Sequence, residues 1–147
     1  MSDENHADHA FVQALLRASA RVELRLTRTL SNISGLSFSE YQLLSALESM
    51  HEATATRVEI AEAVRLTPSG VTRALKPLEK RGYIETSRDP NDARRSRTTL
   101  TDQGAVLLGE ARGVVDGVVK GLNLSESYTD EERAILLRAL TELGGGR

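Results

Sequence analysis

The side chains best suited to chemistry in this sequence are hydroxyls and cations grouped near its middle. If this segment is a helix, one side of it carries Ser69, Thr72, Arg73, Lys76 and Lys80. Hydroxyl, ammonium and guanidinium groups donate hydrogen bonds to base edges and to phosphates. Ser69, Thr72 and Arg73 fall near the helix start, the part that enters the major groove in a helix-turn-helix. The alternative is the solvated face of an ordinary amphipathic helix.

A second basic group follows in a turn-rich segment. Its members are Arg88, Arg94, Arg95 and Arg97. Guanidinium groups this close together repel one another unless an anion is near, and arginine suits the narrow, electronegative minor groove. Asp92 lies two residues before Arg94, close enough to orient its guanidinium group. The alternative is the edge of a sheet that charge protects against aggregation.

The charge of the chain is uneven along its length. The net charge is −2, yet residues 57–100 contain ten Lys and Arg against six Asp and Glu, a net of +4. Residues 1–56 and residues 101–147 each carry a net of −3. A basic centre between acidic flanks is typical of a duplex-binding segment with separate functions on either side.

Composition excludes several classes of protein. The 147 residues fit one compact domain, and the absence of cysteine excludes disulfides, thiolate metal sites and cysteine-based redox sensing. Aromatic residues make up only 3%, so aliphatic side chains must build the core, which favours helices. No signal peptide or membrane-length apolar run occurs, so we expect a cytoplasmic protein without membrane contact. No nucleophile–base pair or phosphate-binding glycine loop occurs, so we expect neither an enzyme nor a cofactor.

Capping signals mark the helix starts. Capping boxes are predicted at Ser39–Gln42, Thr56–Glu59 and Thr129–Glu132, where a hydroxyl and a side chain three residues later satisfy each other's backbone amides. Thr67 before Pro68 is a fourth start, because proline is harmless at the first helical position. Thr101 is a fifth, with Asp102 near the positive end of the helix dipole.

Between these signals the apolar period predicts helices. They are expected near Ala7–Leu30, Glu40–Met50, Val58–Val64, Pro68–Arg81, Asp102–Leu122 and Asp130–Leu143. Two strands, Tyr83–Arg88 and Arg97–Leu100, flank the charged turn. Three short helices before a two-stranded ribbon is the order of a winged helix-turn-helix, so the predicted fold is mainly α with a small β wing. Pro77 should bend the second helix of the motif.

Dimerisation through the N- and C-terminal helices is predicted from their surplus of apolar surface. The interface candidates are Phe11, Leu15, Val22, Leu136 and Leu140. The domain organisation is then an N-terminal dimerisation helix over 1–36, a winged helix-turn-helix over 37–101 and C-terminal dimerisation helices over 102–147. Arg17, Arg21, Arg25 and Arg28 form a stripe on the first helix that could pair with acidic groups such as Glu131 or Glu132, although a solvated face is the preferred explanation.

The sequence resembles the MarR family of bacterial transcription regulators over most of its length, from about Phe11 to Leu143. The likeness is carried by the segments Ile60–Val64, Ser69–Arg73, Leu78–Ile84, Asp89–Arg94 and Leu100–Gly104. The Asp-x-Arg of the wing followed by Leu-Thr-x-x-Gly is the most specific part.

The resemblance implies an obligate homodimer whose first and last helices interleave. By matching position, Ser69, Thr72 and Arg73 would contact the major groove, Arg94 would enter the minor groove, and Asp92 would hold it there. Arg95 and Arg97 do not fall on the motif and are assigned to phosphates on charge alone.

The leading hypothesis is therefore a regulator, most often a repressor in this family, that binds double-stranded DNA and responds to a small-molecule effector. A metal-responsive sensor is the alternative, since His6 and His9 are three apart and His51 precedes Glu52, but no second cluster completes a four-ligand site. A winged helix used only for protein contacts is the third reading, and the arginine-rich wing opposes it.

Overall fold

The computed structural model describes the backbone of residues 2–89 and 92–145 and the side chains of 6–89 and 95–145. Within these ranges the helices are α1 (Ser2–Ser34), α2 (Phe38–Ser49), α3 (Arg57–Val64), α4 (Pro68–Lys80), α5 (Asp102–Lys120), α6 (Leu124–Ser127) and α7 (Asp130–Leu143). The strands are β1 (Thr54–Thr56), β2 (Ile84–Asp89) and β3 (Asp92–Leu100), and a 3₁₀ turn spans His51–Ala53. The predicted class, mainly α with a small β wing, is confirmed.

The helix starts follow the predicted capping chemistry with one correction. The boxes at Thr56–Glu59 and Thr129–Glu132 are present, and Thr67 caps α4 with Pro68 at its start. The box predicted at Ser39–Gln42 is wrong, because Ser37 caps α2 and Glu40 closes the box. The Glu40 carboxylate accepts from the Ser37 backbone N–H at 2.8 Å, and a charged acceptor binds an amide more strongly than a glutamine oxygen does.

The wing is a three-stranded antiparallel sheet in the order β1-β3-β2, so the predicted two-stranded ribbon is incomplete. The added strand, β1, pairs Ala55 with Thr98. On its other side β3 pairs Thr98 with Thr86, and the register shifts between Arg88 and Asp89. β3 begins at Asp92 rather than at the predicted Arg97, because β2 continues to pair with β3 before Arg97, at Ser96 and Asp92.

The hydrophobic core is formed within the winged motif and is almost entirely aliphatic. Its fully buried side chains include Leu30, Leu36, Leu43, Leu44, Leu47, Ile60, Val71, Leu78, Ile84 and Leu108. Removing an aliphatic side chain of this size from water contributes about 1.5–3 kcal/mol. Leu36 comes from the loop between α1 and α2, and the others come from α1, α2, α3, α4, β2 and α5. One leucine-rich cluster therefore joins the elements of the motif.

The chain divides into two compact units, Met1–Val115 and Asp116–Arg147, and α5 runs through the division. The second unit contains the end of α5, the short helix α6 and α7, whose observed bounds match the predicted Asp130–Leu143. The predicted division at 36/37 and 101/102 remains a prediction. None of the described helices has the length and apolar character that crossing a membrane requires.

In the Leu-Thr-x-x-Gly segment, the start of α5 packs closely against the backbone that precedes β2. The Thr101 hydroxyl donates to the Gly82 carbonyl at 2.7 Å and accepts from the Gly104 N–H at 3.1 Å. A Cβ at Gly104 would lie 2.0 Å from the Tyr83 carbonyl oxygen, which no real contact tolerates. The start of α5 can therefore approach the backbone before β2 only because residue 104 is glycine.

One buried hydroxyl in the sheet gives a stability prediction. Thr98 is completely buried, and its Oγ1 has no hydrogen-bond partner among the described residues. Since an unsatisfied buried hydroxyl is destabilising, Thr98→Val should raise the free energy of unfolding by about 1 kcal/mol in urea denaturation.

The neighbouring threonine is the matched control. Thr99 shares a hydrogen bond with Thr54 at 2.9 Å between their hydroxyls. Thr99→Val should therefore lower the free energy of unfolding by about 0.5–1 kcal/mol. A loss of stability in Thr98→Val would contradict the assignment of an unpaired hydroxyl.

Candidate nucleic-acid interface

The helix α4 has one buried face and one exposed basic face. Its start is set by Thr67, whose hydroxyl accepts from the Gly70 N–H at 3.1 Å. The buried side chains are Val71, Leu75 and Leu78, as the sequence predicted, and Ala74 is half-buried. The predicted groove-facing residues Ser69, Arg73 and Lys76 are exposed. The structure therefore brings these three together on one surface.

Thr72 is the member of the predicted set that the structure places differently. It is half-buried, and its hydroxyl donates to the Pro68 carbonyl at 2.9 Å, one turn earlier in the same helix. The hydroxyl proton is therefore already used within α4. Its oxygen can still accept a hydrogen bond, and its methyl group can make apolar contacts.

The turn before α4 has the compactness of a helix-turn-helix. Arg65, which ends α3, adopts a left-handed conformation with φ of 54°. The Leu66 N–H donates to the Ala61 carbonyl at 3.0 Å, closing the end of α3. With Thr67 already capping α4, only three residues separate the helices. Such a short turn holds two helices at a steep angle.

Pro77 lies inside α4, as expected, and the helix continues past it to Lys80. A proline has no N–H to donate to the carbonyl four residues earlier, which is that of Arg73. The predicted bend is left as a prediction. The missing bond starts at the Arg73 carbonyl, so it lies past Ser69 and past the first turn of α4.

The wing places its arginines in different surroundings. Arg95 is exposed at the described end of β3, whereas Arg97 is partly covered and forms an ion pair with the nearly buried Asp89 at 3.5 Å. The predicted pair of Asp92 and Arg94 lies outside the described side chains, although both backbones belong to β3. The predicted brace between them therefore stays a prediction.

Sequence reasoning missed the ion pair of Asp89 and Arg97. The pairing of Ser87 with Arg97 makes Asp89 a diagonal neighbour of Arg97 across the two strands. Opposite charges at such positions stabilise a sheet. The signal was present in the spacing, but it could be read only once the register was known.

Glu59 connects the start of α3 to the wing. Hydrogen bonds from the Thr56 backbone N–H at 2.7 Å and its hydroxyl at 2.8 Å lower the pKa of the Glu59 carboxyl. The positive charges of Arg97 and Arg95 lower that pKa further. Glu59 therefore stays ionised beside the wing and offsets part of its positive charge. A recess of about 440 Å³ is lined here by both Glu59 and Arg95.

The predicted interface residues of the terminal helices differ in exposure. Phe11 is 48% exposed, whereas Leu15 and Val22 are half-buried within α1. On α7 both Leu136 and Leu140 are 45% exposed. The large apolar residues that each helix leaves exposed also include Val12, Leu16, Leu24, Ile33, Ile135, Leu137 and Leu143.

The histidines form no cluster that the structure describes. His6, His9 and His51 are all exposed, and His51 lies 3.8 Å from the carboxylate of Glu52. Among the residues with described side chains, no group of three or more His, Cys, Asp or Glu could hold a metal ion.

Comparison with known proteins finds one family whose members the winged motif resembles. The model of the MarR family matches residues 34–95. Over 145 residues, 97% of each chain, the sequence is 28% identical to the transcriptional regulator ZitR of Lactococcus lactis subsp. cremoris. The transcriptional repressor CouR, solved bound to a 23-mer DNA duplex, is 26% identical with a TM-score of 0.78, and the match covers 89% of each chain.

A further neighbour is BpsR of Bordetella bronchiseptica, whose DNA binding is regulated by 6-hydroxynicotinic acid. Its TM-score is 0.80 at 21% identity, over 92% of this chain and 93% of that one. At this identity the likeness shows the fold alone.

The cap of α3 gives a pH-dependent prediction. Because folding lowers the pKa of Glu59 below its ordinary 4.5, its stabilisation is present above pH 4.5 and is lost as the pH falls through the folded pKa. Glu59→Gln should therefore lower the Tm at pH 7, and the difference from the wild type should shrink below pH 4.5.

Thermal melts between pH 7 and pH 3 test this expectation. Glu62→Gln, on the same exposed side of α3 but outside the capping box, is the control and should stay close to the wild type throughout. A Glu59→Gln difference that does not change with pH would show that the lost interaction does not depend on charge.

Proposed function

We propose that the chain is a DNA-binding transcription regulator of the MarR family, that it acts as a homodimeric repressor on a pseudo-palindromic operator, and that a small-molecule effector releases it. The observation that carries the proposal is the division of α4 into a buried aliphatic face and an exposed face with Ser69, Arg73 and Lys76. These are side chains that can donate to base edges and phosphates.

The proposed contacts differ along the motif. Ser69 and Arg73 read base edges in the major groove, Thr72 contributes its methyl group and its free acceptor capacity, and Lys76 contacts a phosphate. The exposed guanidinium of Arg95 also reaches a phosphate. Arg97 adds charge near the backbone while its pairing with Asp89 stiffens the ribbon.

The tip of the wing completes the proposed interface. Arg94 enters the minor groove, where the narrow walls concentrate negative potential and favour a guanidinium group. Asp92 orients that group from two residues away. Support for these two roles comes from their places in the Asp-x-Arg segment, which the family match includes up to residue 95.

A homodimer is proposed from the apolar surface that each chain leaves uncovered. The exposed large side chains of α1 and α7 would cost free energy in water, and a second copy offers the matching apolar surface. Two identical winged motifs then meet half-sites about one helical turn apart. A two-fold dimer requires a pseudo-palindromic operator for this reason.

Release by an effector is proposed on the example of BpsR, whose DNA binding a small aromatic acid regulates. A ligand can shift the protein away from DNA only if it binds the incompetent conformation more tightly. The repressor assignment follows the example of CouR. Since the proposed target is chromosomal DNA, we propose that the protein acts in the cytoplasm.

Substitution of the base-reading arginines tests the DNA interface. Arg73→Ala and Arg94→Ala should each weaken binding to a duplex selected by the wild-type protein by about tenfold or more, because a good base contact is worth about 1–3 kcal/mol. Fluorescence anisotropy at fixed salt measures the effect, and circular dichroism checks the fold.

Arg95→Ala is the matched control on the same strand. It should weaken binding to selected and scrambled duplexes alike and reduce the salt slope by about one charge. Unchanged affinity of Arg73→Ala and Arg94→Ala for the selected duplex would overturn the assignment of both residues.

A charge in the apolar face of α7 tests the dimer. Leu140→Asp should convert the protein to a monomer in sedimentation experiments, because an interface cannot bury an unpaired carboxylate without a large cost. Arg138→Asp places the same group on an exposed polar position of the same helix and should stay dimeric. A dimeric Leu140→Asp protein would exclude this face from the interface.

A further inference from the structure

Arg81 lies just past the end of α4 and binds three separate partners. Its Nη1 donates to the Gly35 carbonyl at 2.8 Å, and its Nη2 forms an ion pair with the Glu40 carboxylate. Its Nε donates to the Pro77 carbonyl at 3.2 Å. The guanidinium group also lies over the Tyr83 ring, 5.2 Å from its centre. We name Arg81, Glu40 and the Gly35 carbonyl the Arg81 clamp.

The clamp reaches the junction between α1 and α2. Gly35 adopts φ of +67° directly after α1, a conformation that favours glycine and turns the chain toward α2. Glu40 holds the other side of this junction, since its second carboxylate oxygen accepts from the Ser37 N–H at 2.8 Å. One carboxylate therefore caps α2 and binds the end of α4 at the same time.

The geometry of the clamp requires arginine. The three nitrogens of one planar guanidinium group each donate in a different direction, to two carbonyls and a carboxylate. A lysine ammonium is a compact charge that cannot reproduce this fork or lie flat over a ring. The side chains of Arg81 and Glu40 are 33% and 17% exposed, so water screens their pairing less than it screens an ordinary surface ion pair.

The two helices that the clamp connects, α4 and α1, carry different surfaces. The helix α4 carries Ser69 and Arg73, whereas α1 carries exposed apolar residues such as Phe11 and Leu16. A bond from the end of α4 to the end of α1 fixes the direction of one helix relative to the other. In a dimer held through α1, this direction sets the distance between the two copies of α4.

We propose that Arg81 is a positioning residue that sets the half-site spacing the dimer accepts, by fixing α4 against the junction of α1 and α2 through the Arg81 clamp. The inference rests on the proposed function, because spacing has meaning only for a dimer on two half-sites. Arg81 itself need not touch DNA.

The measurement that tests the proposal is the ratio of the protein's affinities for two DNA duplexes that differ in half-site spacing. A duplex is selected from a random pool by the wild-type protein, and a second duplex carries two extra base pairs between its half-sites. The wild type should prefer the first by about tenfold or more, since the insertion rotates one half-site by about 70° on a helix of about 10 base pairs per turn. Loss of the clamp should reduce this preference below about threefold.

Two variants remove the clamp in different ways. Arg81→Met removes all of the polar contacts, and Glu40→Gln removes the ion pair while its amide oxygen can still accept from the Ser37 N–H. The control is Arg112→Met, which removes another Arg–Glu pair within the same unit, between Arg112 of α5 and Glu48 of α2. It should keep the wild-type ratio.

Each result decides the question. A reduced ratio in Arg81→Met and Glu40→Gln, with the control unchanged, supports the proposal, and Glu40→Gln alone decides if Arg81→Met does not fold. A wild-type ratio in both clamp variants overturns it, as does an equal reduction in all three variants, which would show general loosening. A wild-type protein that shows no preference for spacing refutes the proposed dimeric operator instead.

Discussion

The burial of one face of α4 is the constraint on which the rest of the interface depends. Val71, Leu75 and Leu78 enter a core built from aliphatic residues of α1, α2, α3, β2 and α5, and each contributes about 1.5–3 kcal/mol by leaving water. Turning α4 by one residue, about 100°, would bring part of this face into solvent. The outward direction of Arg73 is therefore determined by the aliphatic residues behind it.

The ends of α4 limit the remaining freedom of the helix. At its start Thr67 closes the first turn, and a three-residue turn connects it to α3. At its end the Arg81 side chain is bound to the junction after α1, and the Tyr83 carbonyl meets the start of α5 at Gly104. Packing alone resists rotation of a helix, whereas contacts at both ends also resist its tilting.

Local signals predicted most of the fold, and pairing between distant residues accounts for what they missed. Capping at Thr56, Thr67 and Thr129 needs only a few neighbouring residues, so these starts were readable. The short strand β1 exists because β3, about forty residues later, pairs with it. The choice of Ser37 over Ser39 likewise depends on Glu40, which a distant arginine also binds. For the site, the exposure of Ser69, Arg73 and Lys76 was predictable, but the partial burial of Thr72 and the ion pairs were not.

Those ion pairs reduce the positive charge that residues 57–100 can offer to DNA. A net of +4 over residues 57–100 suggests that many cations are available for phosphates. Yet Arg81 binds Glu40 and two carbonyls, Arg97 binds Asp89, and the Glu59 carboxylate stands beside the wing. Part of the positive charge therefore stabilises the motif that presents the rest. The surface proposed to meet DNA is therefore smaller than the charge count implies, and the proposed specificity rests on a few well-positioned side chains rather than on charge density.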